Sequence, residues 1–196
     1  MFHPVQKAPQ LEYLKNLCKS NQFDHALKVA YCMDQEGIPI PRDAIYKILQ
    51  GCSKELENAK RIHLIVIHNK LERVSVLGDH LIRLFVSCAS LTDAQRVFLR
   101  IPKPSIYTWN AIISAHSKLG FEEAAFNLFL QMTKQGLKPD RVTALCMMTV
   151  CGNMGDIKEG RLMHAYTCHC FFRQDMILDS ALIGMYANCS DVNDAC

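Results

Sequence analysis

A cluster of histidine and cysteine residues near the C-terminal end has the residue types that bind zinc. His164, Cys168, His169 and Cys170 stand close together, and imidazole and thiolate are common zinc ligands. Their spacing matches no known zinc finger, and most of the cluster falls on one predicted helix. A related segment at 63–68 keeps both histidines without the cysteines. We therefore expect no metal here and assign the histidines to a repeated structural pattern.

Other chemistry-bearing motifs are missing from the sequence. It contains no phosphate-binding loop, no nucleophile elbow and no dinucleotide fingerprint. Its scattered Asp, His and Ser residues do not form a recognisable catalytic set. We expect no catalytic residues, no cofactor and no small-molecule substrate.

Composition predicts a folded chain with buried thiols. The 196 residues are 49% hydrophobic and 21% charged, with a net charge of +3, which disfavours disorder. No apolar run is long enough to span a membrane, and the first ten residues resemble neither a signal nor a transit peptide. Of the ten cysteines, several such as Cys52, Cys88, Cys151 and Cys189 lie in apolar stretches. We expect free thiols and a reducing compartment.

The elements that carry these residues repeat along the chain. Residues 63–68 have a copy at 164–169, and Cys88 returns as Cys189, an offset of about 100 residues. Closer to the N-terminus, Gly37 returns as Gly136 at nearly the same offset. Each block divides into three, so we predict a leader at 1–6 and an array at 7–196. Its repeats are 7–41, 42–74, 75–105, 106–140, 141–175 and an incomplete 176–196. The incomplete last repeat suggests a fragment, a truncated gene product or a degenerate repeat protein.

The repeat at 106–140 shows the predicted unit most clearly. Apolar residues recur at helical spacing from Tyr107 to Lys118 and again from Glu122 to Lys134. Gly120 separates the two stretches and Gly136 ends the second, each suited to a left-handed helix cap. A single hairpin cannot bury both apolar faces, whereas stacked hairpins can. The predicted fold is all-α, a right-handed α-solenoid of helix-turn-helix repeats. Such a solenoid fits peptide-binding repeats of 34 residues equally well.

The residues Tyr107-Thr-Trp-Asn110 and Glu123-Ala-Ala-Phe-Asn-Leu-Phe-Leu-Gln-Met132, ending in Gly136-Leu-Lys-Pro-Asp140, resemble a pentatricopeptide repeat. The neighbouring repeats resemble the long and short variants of plant members. The order standard, long, short occurs twice. That order resembles the subclass tied to RNA modification in organelles, especially cytidine-to-uridine RNA editing.

The resemblance implies that the chain binds single-stranded RNA, about one base for each repeat. Base-reading pairs in the family join a residue near the start of a repeat to its last residue, here Asn110 and Asp140. The family pattern for this pair favours uridine. The alternative is that Asn110 and Asp140 each cap a helix. Asp79 with Ser105, and Ser180, occupy base-reading positions in the short repeats.

The resemblance also implies an apolar side chain that packs against each base. The residues at that position are Val76, Tyr107, Val142 and Ile177, and stacking of this kind tolerates any base. The alternative for each is ordinary packing between hairpins.

Further expectations rest on charge and on the family. Four cations, Arg42, Lys47, Arg83 and Arg141, are candidates for phosphate contacts, the alternative being solvated surface charge. Deaminase-like domains of the subclass carry His-x-Glu and Cys-x-x-Cys motifs, and neither is found in this sequence. We expect RNA and other RNA-processing proteins as partners, in a mitochondrion or chloroplast. A scaffold that grips a peptide or partner protein is the rival function.

Overall fold

A computed structural model of the chain describes residues 7–169 and 175–191. These residues form eleven helices and no strand, which confirms the predicted all-α fold class. The helices group into two compact halves, an N-terminal half at Met1–Lys103 and a C-terminal half at Pro104–Cys196. The predicted leader, Cys170 and residues 192–196, where a further helix was expected, lie outside the described residues.

In the N-terminal half six helices follow one another, separated by short turns. Their bounds are α1 Lys7–Lys19, α2 Phe23–Gln35, α3 Arg42–Gly51, α4 Leu56–His68, α5 Ser75–Ser87 and α6 Leu91–Arg100. The helices α1, α3 and α5 contact one another in series, and α2 contacts both α3 and α4. Their facing sides bury apolar side chains such as Leu14, Ile45 and Phe85. Removing this surface from water is what holds the hairpins together.

The C-terminal half repeats the arrangement with five described helices. They are α7 Ile106–Lys118, α8 Glu122–Lys134, α9 Arg141–Met154, α10 Ile157–His169 and α11 Met176–Asp191. Here α7, α9 and α11 pack side by side and form the first row of helices. The helices α8 and α10 form the second row, and both pack against α9. Trp109, Ile113, Phe129 and Met147 are buried between the rows.

The turn between α7 and α8 ends the first helix where the sequence predicted. Gly120 takes a positive φ of 76°, which an L side chain adopts only with strain. Its N–H donates to the Ser117 carbonyl at 3.1 Å, and the N–H of Phe121 donates to His116 at 2.9 Å. These two bonds are the Schellman pattern that closes a helix. Gly136 ends α8 in the same way, with φ of 79°.

The expectation of buried, free thiols is met only in part. The eight described cysteines are free thiols. Cys52, Cys151 and Cys189 are buried as predicted, whereas Cys88 is half-exposed and Cys32 and Cys168 are exposed.

No helix among the described residues combines the length and apolar character that crossing a bilayer requires.

Candidate nucleic-acid interface

The starts of α7, α9 and α11 place the predicted base-reading residues. The residue before each helix is its N-cap: Ser105 for α7, Asp140 for α9, and Asp175, which accepts from the N–H groups of Ile177 and Leu178, for α11. An N-cap oxygen satisfies backbone donors that have no partner within the helix. The last residue of each predicted repeat therefore begins the next helix.

Asp140 holds Asn110 directly. The Asn110 Nδ2 lies 2.9 Å from Asp140 Oδ1 and 3.1 Å from Oδ2. Because an ionised carboxylate can only accept, the amide must present its nitrogen to Asp140. The capping alternative is correct for Asp140 and wrong for Asn110, since the N-cap of α7 is Ser105 and Asn110 lies inside the helix.

Thr143 fixes the other side of the amide, and sequence reasoning missed it. Its hydroxyl lies 2.6 Å from Asn110 Oδ1 and 2.9 Å from Asp140 Oδ1. It also completes a capping box, because its backbone N–H donates to Asp140 Oδ1 at 2.8 Å and its hydroxyl accepts from the Asp140 N–H at 3.2 Å. The spacing Asp-x-x-Thr is a capping-box pattern that could have identified it. Ser105 and Thr108 repeat the pattern at α7.

The network keeps Asp140 charged. Burial raises the pKa of the Asp140 carboxyl, but hydrogen bonds from Thr143, Asn110 and Val142 together outweigh burial and leave it below its ordinary value. Asn110 is only 8% exposed and Thr143 1%. The amide is therefore clamped between an anion and a hydroxyl at the rim of the buried core.

The predicted base-packing residues share one position and one environment. Tyr107, Val142 and Ile177 are each the second residue of their helix, and Val76 has the same place on α5. Their exposed fractions are 61%, 56%, 58% and 46%. Buried packing between hairpins, the alternative considered for them, therefore does not account for these side chains. In the C-terminal half they present one exposed apolar group on each of three successive helices.

The other predicted base-reading residues are Ser105, Asp79 and Ser180. Ser105 uses its hydroxyl to cap α7, accepting from the Thr108 N–H at 3.2 Å. Asp79 lies in the other half, so its pairing with Ser105 stays a prediction. Ser180 is exposed and donates to the Met176 carbonyl at 2.7 Å.

The candidate cations and metal ligands are also placed. Arg42, Lys47 and Arg83 are exposed, whereas Arg141 makes a two-point ion pair with Asp175, with Nη2 3.0 Å from Oδ1. That contact lowers the pKa of Asp175 to about 2. His164 bonds the Tyr186 hydroxyl at 2.9 Å, and within 7–169 and 175–191 no three potential ligands form a group that could hold a metal.

Comparison with known proteins finds a matching family model and similar sequences. Residues 104–153 match the model of the PPR repeat family. A chloroplastic pentatricopeptide repeat-containing protein of Arabidopsis thaliana is 31% identical over 163 residues, 81% of this chain and 31% of the relative. Another chloroplastic and a mitochondrial one are each 25% identical over 93% and 94% of this chain. The chain spans 21 to 31% of the length of these three relatives.

Proposed function

We propose that this chain, which the family match and the relatives support as a pentatricopeptide repeat protein, binds single-stranded RNA and reads uridine at Asn110. The single observation that carries the proposal is the clamped Asn110 amide beside a row of exposed apolar side chains. A base needs one surface to stack on and one edge to bond with, and the C-terminal half offers both.

Hydrogen bonding at Asn110 supports the choice of base. An amide has two N–H donors and two acceptor lone pairs. Asp140 accepts from the amide nitrogen through one N–H, and the Thr143 hydroxyl uses one lone pair of the amide oxygen. The second N–H and the second lone pair are left side by side. The uracil edge presents an N–H next to a carbonyl oxygen, the complementary pair. Because Asp140 and Thr143 prevent the amide from turning over, the order of donor and acceptor is fixed.

Stacking supplies affinity without choice of base. Tyr107 lies one helical turn before Asn110 on α7, so both belong to the same helix face. Val142 follows Asp140 by two residues at the start of α9. A base bonded to Asn110 would lie between these two exposed side chains. Stacking on an aromatic ring contributes roughly 1–3 kcal/mol for each base.

Location, partners and chemistry are parts of the same proposal. Relatives named chloroplastic and mitochondrial support an organelle of one of these two kinds. The repeated order of repeat types supports a role in RNA editing or another modification step, with catalysis supplied by another domain or protein. A deaminase assay with the purified chain, expected to show no conversion of cytidine, tests the last point.

The test is binding to a randomised single-stranded RNA pool, with Asn110→Ala and a matched control, Asn127→Ala, on the exposed face of α8. We expect one enriched uridine position in the wild type and in Asn127→Ala, and its loss in Asn110→Ala. Binding with no base preference would reject the assignment of Asn110. Absence of binding at low salt would reject RNA and favour a protein-interaction scaffold.

A further inference from the structure

An open groove in the N-terminal half collects basic side chains. It lies between α3 and α5, has a volume of about 340 Å³, and we call it the α3–α5 groove. Its eight lining residues include three basic and two other polar ones, besides a cysteine and two leucines: Leu49, Gln50, Cys52, Lys54, His80, Arg83, Leu84 and Ser87. No acidic side chain is among them.

The basic groups meet there because two distant segments pack together. Lys54 follows the end of α3, while His80 and Arg83 stand three residues apart on α5 and so share a helix face. The His80 ring contacts Tyr46 of α3 edge to face, with centroids 5.1 Å apart. That contact holds α5 against α3 and fixes one wall of the groove.

Glu55 adjoins Lys54 in sequence and Asp24 acts electrostatically on Cys52, but neither carboxylate lines the groove. Asp24 accepts from the backbone N–H and the hydroxyl of Ser53 at 2.8 and 2.9 Å. On α5 the pKa of His80 lies below its ordinary value, because burial and the charge of Arg83 lower it by more than the charge of the preceding Asp79 raises it. At neutral pH the groove therefore carries the charges of Lys54 and Arg83 with a neutral imidazole donor between them in sequence.

The second copy of the repeat block lacks this feature. At the offset that relates Leu81-Ile82 to Leu182-Ile183, His80 corresponds to Ala181 and Arg83 to Gly184. The segment after Cys151, the counterpart of Cys52, reads Gly-Asn-Met-Gly and carries no charge. Packing of the two first-row helices does not require the basic residues, because α9 and α11 pack without them.

We propose that the α3–α5 groove binds a phosphate group of the bound RNA strand. Two cations and a neutral donor around an open groove suit a phosphodiester, whose charge is spread over its exposed oxygens. The groove is shared by two repeats, since Lys54 lies in 42–74 whereas His80 and Arg83 lie in 75–105. In the repeat 42–74 the positions that would read a base hold Tyr46 and Val74. This repeat would thus help to fix the backbone of the strand while leaving its base unread.

The inference rests on the proposed function, and its test separates the two. RNA affinity is measured at about 50 and 200 mM salt for the wild type and two double variants. Lys54→Gln with Arg83→Gln empties the groove of charge. Lys158→Gln with Arg161→Gln removes the same charge from exposed positions on α10. We expect roughly tenfold weaker binding for the groove variant, and a salt slope smaller by about 0.7, the value for one phosphate on a single strand.

A gain-of-function variant guards against misfolding. A Cβ added at Gly184 meets nothing within 4 Å, and neither Gly184 nor Ala181 is buried, so both positions have room to begin the side chains of Ala181→His and Gly184→Arg. We expect this transplant to strengthen RNA binding and to steepen its salt dependence. Ala165→Arg on α10 is the control and should change binding less. Equal effects of groove and control variants, in either direction, would overturn the proposal.

Small anions and an acidic peptide distinguish the remaining sources of charge. Pyrophosphate added to the wild type should shift amide NMR signals of α5, and the groove variant should abolish the shift. If RNA fails to bind while this shift is present, the proposed function falls and the phosphate site stands. Absence of both overturns the site as well. Polyglutamate that binds the groove as tightly as RNA of equal charge would show a general acidic-ligand site and reject the phosphate.

Discussion

Asp140 caps α9 and also orients the amide of Asn110. Helix capping alone explains many aspartates at this position, and Asp156 does the same for α10, accepting from the Lys158 N–H at 2.8 Å. What distinguishes Asp140 is the second bond, to a residue 30 positions earlier in the chain. The two aspartates therefore form a natural pair for separating the cap from the amide contact.

Replacing each aspartate by alanine should give unequal losses of stability. Asp156→Ala removes a cap, which costs about 0.5–2 kcal/mol. Asp140→Ala removes a cap and leaves the buried Asn110 nitrogen unpaired, which adds about 1–3 kcal/mol. Urea unfolding followed by circular dichroism measures both. Equal losses would show that the Asn110 contact contributes nothing to stability.

Acid should weaken the protein partly through Asp140. Its folded pKa lies below the ordinary value of 3.8, so the unfolded chain binds the proton more readily. Stability from this group is therefore fully present well above 3.8 and is lost as the pH falls through the lower folded pKa. We expect the urea midpoint to fall from about pH 5 downward.

The matching variant is Asp140→Asn, which cannot titrate. Its urea midpoint should fall less over the same pH range than that of the wild type. Asp175→Asn should flatten the lowest part of the curve, since the pKa of Asp175 is lowered to about 2 by Arg141. Parallel curves for wild type and Asp140→Asn would contradict the low pKa assigned to Asp140.

Two glycines, one at a helix end and one inside a helix, test how backbone conformation decides the effect of adding a side chain. Gly136 closes α8 with φ of 79° and Gly184 lies inside α11, and a Cβ at either meets nothing within 4 Å. Sterics are thus equal and only backbone conformation differs. Gly136→Ala should destabilise by about 1–2 kcal/mol, because an L residue is strained at positive φ. Gly184→Ala should stabilise by roughly 0.5–1 kcal/mol, as expected inside a helix.

Thermal unfolding of both variants reads out this difference, and a change of the same sign would contradict the helix assignment of one glycine. Both glycines are exposed, and a Cβ at either meets nothing within 4 Å, so core packing does not contribute to the difference in stability.

Helix bounds were largely predictable, whereas side-chain networks were not. The apolar spacing in 106–140 and the glycines at 120 and 136 predicted α7 and α8 within one residue. Helical periodicity and glycine caps are local, so the sequence contains them. Thr143 was missed although its capping-box spacing is local too. The α3–α5 groove was missed because Lys54 and Arg83 meet only through packing of separate helices.

The contact between Asn110 and Asp140 was predictable for another reason. Asn110 and Asp140 stand at positions defined by family resemblance, and no local pattern joins two residues 30 positions apart. The structure adds that the pair is bonded and that a threonine completes it. Resemblance could not provide the exposure of Tyr107, Val142 and Ile177, which depends on the rows of helices packed beside them.

Across the molecule, thiols report on burial. Burial, with a smaller effect of the Asp24 charge, raises the pKa of Cys52 to about 11, and burial likewise raises that of Cys151 to about 12. Cys32 and Cys168 are exposed. Because the thiolate is the reactive form, we expect the exposed Cys32 and Cys168 to react first with a disulfide reagent at about pH 8. Cys52 and Cys151 should react only on unfolding.

Mass spectrometry of the labelled peptides identifies which thiols react, with Cys170 and Cys196 replaced by serine so that the described cysteines are followed alone. Labelling of Cys52 as fast as Cys32 in the native protein would contradict the packing of α3 in the N-terminal half. Labelling of Cys151 would contradict that of α9 in the C-terminal half.

The bond between Asn110 and Asp140 also bears on how such a chain can be cut and rejoined. Asn110 lies in the first helix of its hairpin, whereas Asp140 starts the helix of the next one. The pair that we propose reads a base is therefore divided between two successive hairpins. A recombination breakpoint after α8 but before Asp140 would preserve both hairpins and still separate Asn110 from its carboxylate. Exchange of segments that begin at Arg141 would leave the pair whole.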